Sequence, residues 1–246
     1  MATSVTAQSA TATTTFVGSF YFWMILLMAF FVFGGFGMTY WYPLAAGTFR
    51  PAPPVVHLHG LTYFSWMILL ITQAALVNVR NVALHRSLGM FGIALATAVM
   101  MMGAIITILG ASRSSGAAAH GIYLGIAAVT GFGLLFTLAI RNTRKPDIHR
   151  RLILLAMLPL LPPGIHRLYM VPLGLQTFPV VAMYATLDAM ALAIIAHEWR
   201  QHRSIGKYTL IGVGWLVLQQ AVHWAIIDTE FFAGVVQALG SLAHYR

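Results

Sequence analysis

Seven stretches of the chain are nearly unbroken runs of apolar residues: 16–38, 55–79, 88–110, 117–140, 151–171, 178–197 and 208–228. Each is close to the ~20 residues that a helix needs to cross ~30 Å of hydrocarbon. None shows the ~10-residue alternation of a membrane β-strand, so the runs predict helices and not a barrel. The expected fold is an all-α integral membrane protein with about seven transmembrane helices. Pro159, Pro162, Pro163 and Gly164 fall inside the fifth run and predict a kink or an early end there. Residues 1–15 are mostly Ala, Thr and Ser with no basic residue, unlike the charged start of a secretory signal. They read as a short mobile tail before a single transmembrane domain over 16–246.

Composition supports this reading. Of the 246 residues 59% are apolar and 8% charged, with a mean hydropathy of +0.82. A soluble domain carries ~25% charged residues, so this chain cannot clothe a water-facing surface. The net charge of +9 comes from 14 Lys and Arg against 5 Asp and Glu. Those basic residues are spread over loops and lack interleaved stacking aromatics, which excludes a nucleic-acid partner and leaves membrane lipid. Arg80, Arg86, Arg141, Arg144, Lys145, Arg150, Arg151, Arg200, Arg203 and Lys207 share the side of the N-terminus. Arg50, Arg113, Arg167 and Arg246 take the other. By the positive-inside rule the N-terminus is cytoplasmic and the C-terminus periplasmic, in a bacterial inner membrane.

With no cysteine in the chain, iron–sulfur clusters, thioether-attached haem, blue copper and thiolate zinc are excluded. Five acidic residues are too few for a carboxylate-rich di-iron site. Ten histidines remain as metal ligands.

The histidines follow an internal repeat. His59-Gly60 precedes Arg80-Asn81 by 21 residues, and His85-Arg86 follows. His120-Gly121 precedes Arg141-Asn142 by 21 residues, and His149-Arg150 follows. This pattern predicts a duplicated two-helix hairpin, about 55–110 and 117–171, forming a four-helix core about a pseudo-twofold axis along the membrane normal. Twenty-one helical residues rise ~31 Å, so each His-Gly lies across the membrane from its Arg-Asn. His59 and His120 should then face each other at the outer side, and His85 and His149 at the cytoplasmic side, in or beside short basic loops. Two opposed histidines are the simplest source of both axial nitrogens for a haem b. Gly60 and Gly121 would leave room for a flat macrocycle. Arg86, Arg150 and Arg151 could meet its propionates in a bidentate fork.

A histidine on each of the second to fifth helices resembles the ascorbate-reducible two-haem transmembrane cytochromes b. The likeness covers about residues 55–170, and Leu84-His85-Arg86-Ser87-Leu88-Gly89 is similar to that family's third-helix stretch. It implies one haem between the second and fourth helices and another between the third and fifth. The chain also resembles uncharacterised bacterial multi-pass membrane proteins with His-Gly and His-Arg at helix starts.

Other polar groups offer alternatives. His57, His59, His120, His166 and His223, with His244, fall on the outer side, where three or more could converge on copper, zinc or non-haem iron. Asp188, in the middle of the sixth run, needs a partner inside the bundle, and Gln73 and Tyr184 have suitable depth. It could handle protons or quinol, or hold its helix to the core. Met100-Met101-Met102 reads as packing, because consecutive residues point in different directions around a helix.

Three functions remain. The first is a haem-binding transmembrane electron-transfer protein using quinone or a small reductant and a redox partner protein. The second is a cofactor-free accessory subunit of a larger respiratory or photosynthetic membrane complex. The third is a histidine-ligated metal enzyme, possible as a membrane oxidoreductase. A transporter is disfavoured, since no paired discontinuous helices are evident in the pattern.

Overall fold

A computed structural model of the chain describes residues 19–113, 119–175 and 177–243. The 1–15 tail, His244, Tyr245 and Arg246 lie outside the described residues. Within them the chain is all helix and turn: α1 (Phe20–Phe36), α2 (Pro54–Asn78), α3 (Val82–Ser112), α4 (Ala119–Arg141), α5 (Pro146–Met157), α6 (Pro162–Leu173), α7 (Val180–His202), α8 (Lys207–Ile226) and α9 (Glu230–Leu242). Six spans are long and apolar enough to cross a membrane, and the bent pair α5–α6 makes a seventh. The chain is an all-α, multi-pass membrane protein.

Local chemistry sets the helix ends. Asn81 caps α3 by accepting a hydrogen bond from the Leu84 amide at 3.2 Å, so the helix begins six residues before the apolar run does. His85 consequently lies inside α3 and not in a loop. Arg80, in the left-handed region at φ 59°, turns the chain from α2 into α3. The prolines of the fifth run act as their missing amides require. A 3-10 turn at Leu158–Leu160 follows α5, and the axis bends by 49° before α6. The first span has an irregularity of its own, a π-helical turn at Gly37–Trp41 that carries it on to Ala45. The break in the fifth span is the one its prolines predict, whereas the sequence pattern did not indicate the π-helical turn of the first.

The core is the bundle α2–α5, with Trp66 of α2 near its middle. Its indole Nε1 donates to Met157 Sδ of α5 at 3.1 Å, and its ring meets Phe132 and Phe136 of α4 edge-on at 5.4 and 5.5 Å. Tyr63 of α2 donates to the Val99 carbonyl of α3 at 3.0 Å. Lipid is as apolar as these side chains, so close packing and interhelical hydrogen bonds hold the bundle, with little hydrophobic drive. The same rule explains how α1 crosses α6. A Cβ on Gly35 would strike the Gly164 carbonyl, and one on Gly164 would come within 2.6 Å of the Phe31 carbonyl. Met100 fills the space beside Gly133, and Met101 is exposed, as packing residues would be. The amphipathic α9, which continues beyond the last predicted run, lies along α3.

Candidate functional site

The two ends of the four-helix core carry different polar groups. At the end where α3 and α5 begin, the His85 and His149 rings are 6.5 Å apart, centroid to centroid, with an interplanar angle of 77°. Two imidazoles on one metal ion, at ~2 Å each, have centroids ~6 Å apart. His149 directs Nδ1 to the Ala139 carbonyl at 2.9 Å. That bond fixes the ring and leaves Nε2 to ligate, the usual outer-shell arrangement of a metal-binding histidine. His85 Nδ1 is buried without a hydrogen-bond partner, and its backbone carbonyl accepts from Gln73 Nε2 at 3.1 Å. The centroid spacing is that of two imidazoles sharing one ion.

The arginines around this pair are mostly engaged. Arg150 pairs with Asp147 at 2.5 Å and lies 4.3 Å over the Tyr21 ring. Arg151 and Glu198, both buried, pair at 2.9 Å, and Glu198 also accepts from the Gly206 amide at 3.1 Å. That buried pair ties α5 to the turn between α7 and α8. Arg86 is exposed beside His85. Of the arginines proposed for propionates, Arg150 and Arg151 therefore already meet carboxylates of the chain.

At the opposite end the repeat's histidines take different neighbours. His120 Nδ1 is 3.0 Å from Nε2 of His223, whose Nδ1 is 2.6 Å from the Tyr184 hydroxyl. His223 is fully buried and stacked on Tyr123 at 4.5 Å. Both of its ring nitrogens are occupied, which leaves it no lone pair for a metal. His57 Nδ1 meets the Tyr40 hydroxyl at 2.7 Å, and His166 Nδ1 the Pro163 carbonyl at 3.3 Å. His59 packs on Tyr63 at 4.2 Å with its Nδ1 buried and unpartnered. Among the described residues no three His, Asp or Glu side chains stand where they could share a metal ion.

His59 instead lines a cavity of about 530 Å³ with Gly60, Gly121, His166 and Arg167. A Cβ on Gly121 would meet nothing within 4 Å, and one on Gly60 only Phe64 at 3.7 Å, so both glycines border open space. Asp188 accepts from Gln220 Nε2 at 2.7 Å, and neither expected partner supplies that bond. Gln73 is committed to His85 and Tyr184 to His223.

The chain matches no known family model, no curated protein and no solved structure. Its functional reading therefore rests on its own geometry. Sequence reasoning used Arg167 only as a topology charge and did not single it out as a site residue. An arginine inside an apolar run is itself a functional signal, because an intramembrane cation is costly unless it meets a partner.

Proposed function

We propose that the protein is a transmembrane electron-transfer protein that binds one haem b between His85 and His149. The observation that carries this reading is the 6.5 Å, near-perpendicular approach of the two rings. It joins α3 to α5, the second helices of the two hairpins, which the repeat pairs. The hydrogen bond from His149 to the Ala139 carbonyl holds that imidazole in one tautomer and orientation. Gln73, by donating to the His85 carbonyl, ties α2 to the same turn of α3. Bound there, a haem would supply one-electron exchange between ferric and ferrous iron. The chain's own contribution is to fix both ligands on helices and keep them from rotating away.

Ten of the basic residues belong to the end that carries this pair, which by the positive-inside rule faces the cytoplasm. A redox partner would dock on that face, and a membrane quinol is a suitable donor. The test is a reduced-minus-oxidised absorption spectrum of the purified chain, with the haem-to-protein ratio. A b-type band at a ratio near one is expected, and it should vanish in His85→Ala and in His149→Ala. A chain that purifies without haem, and takes up none when haem is added, overturns the reading.

A further inference from the structure

The 530 Å³ cavity at the far end of the core lies well within the ~300–1,000 Å³ of ordinary ligand pockets. Its walls are apolar, with Val32, Phe36, Phe64, Met67, Ile106 and Met157 among them. Both irregular spans contribute to it. Thr39 and Tyr40 come from the π-helical turn of the first span, Leu160 from the 3-10 turn after α5 and Pro163 from the first turn of α6. Irregular backbone at membrane depth is tolerated where it lines a cavity, and broken helices are where membrane proteins commonly build ligand sites. π-Helical turns have the same association with function.

The charge in this cavity is one-sided. Arg167 lines it, half-buried, with its guanidinium 4.3 Å over the Phe36 ring. Its NH1 donates to the Pro163 carbonyl at 2.6 Å, using one of the five donors of the planar fork. None of the chain's five acidic side chains lines the cavity. Asp147 and Glu198 are paired with Arg150 and Arg151, Asp188 takes Gln220, Asp228 lies in the turn between α8 and α9, and Glu230 begins α9. A positive charge remains in an apolar enclosure with no carboxylate of the protein to meet it. His59, also in the lining, has a buried Nδ1 with no partner.

We propose that this cavity binds a long-chain carboxylate of fatty-acid type, its head group on Arg167 and its hydrocarbon along the apolar wall. A carboxylate matches the guanidinium fork in charge and in planar, two-oxygen geometry. A single negative charge balances the single unmatched cation, whereas a phosphate monoester or a pair of propionates would bring a second charge with no cation to meet it. The neighbouring open space at Gly60 and Gly121 accommodates the chain's methylenes.

The test is native mass spectrometry of the delipidated full chain with palmitate or hexadecan-1-ol at matched concentrations. These probes share a tail and differ in the head group. Palmitate should occupy the protein at least ~tenfold more than the alcohol, the scale expected of a charge-assisted hydrogen-bonded pair. Arg167→Gln should remove that preference, and Gly121→Phe, which fills the space, should block both probes. Equal occupancy by the two probes, or palmitate binding undiminished in folded Arg167→Gln, overturns the proposal. So does a haem in the cavity that palmitate fails to displace. Should Arg167→Gln not fold, the acid-to-alcohol ratio and the Gly121→Phe block decide the matter. The His85→Ala chain should keep its palmitate binding, so failure of the haem reading and failure of this one are told apart.

Discussion

His85 and His149 approach to 6.5 Å at one end of the four-helix core, whereas His59 and His120, which the same repeat assigns to matching depth at the other end, make their contacts with Tyr63 and with His223. The difference lies in the helices around the repeat. Near His85 and His149 the neighbouring α7 and α8 are fastened to α5 through Arg151, Glu198 and Gly206. That latch leaves the histidine pair to itself. At the other end α8 brings His223 to His120, α7 adds Tyr184, and the broken span inserts His166 and Arg167 beside His59. A duplicated hairpin repeats its side chains, but later helices without a repeat decide which of those side chains still face each other.

The largest effect that would break this comparison is loss of haem from one end only. His85→Ala or His149→Ala should abolish the b-type difference band, while His59→Ala and His120→Ala leave the haem ratio near one. If the reverse pattern appears, the two ends have been assigned the wrong way round. Next comes the latch. Glu198→Gln leaves Arg151 buried without its countercharge and should cost ~3–5 kcal/mol of stability, read as a lower midpoint of thermal unfolding in detergent. A smaller change should follow Tyr184→Phe. It strips the buried His223 Nδ1 of its partner, at a cost of ~0.6–2 kcal/mol, with the haem ratio unaltered. Smallest of all is Asp147→Asn. Its side chain is 51% exposed and that of Arg150 39%, so removing this pair should shift stability by less than ~1 kcal/mol. Similar losses from Glu198→Gln and Asp147→Asn would mean that burial does not distinguish the two pairs.

Much of the fold was legible in the chain. The seven apolar runs correspond to six continuous spans and one bent pair, and the break falls among Pro159, Pro162 and Pro163 as their chemistry requires. Helix ends were less legible. Asn81 extends α3 over Val82–Ser87, whose polar residues hide a helix from any reading by hydropathy. The π-helical turn at Gly37–Trp41 has no local sequence signal comparable to a proline.

For the candidate sites, the repeat named both members of the converging pair, because two copies of one hairpin hold equivalent residues at equivalent depth. It also named Gly60 and Gly121, which do border open space, though beside His166 and Arg167 and with His120 turned toward His223. The partner of Asp188 was not legible. Depth along the membrane can be counted in residues, but the angle at which α8 presents Gln220 to α7 cannot.

By itself the sequence determined the solvent: 59% apolar residues in spans of membrane length admit only helices, since backbone groups in lipid must be satisfied within their own segment. It also determined which histidines are equivalent. Only the tertiary structure decided which of them meet, which are already bonded to a neighbour, and where an unmatched arginine faces a cavity. Those outcomes depend on rotation about helix axes and on packing between spans distant in sequence, which in lipid is governed by close contact and hydrogen bonds more than by hydrophobicity.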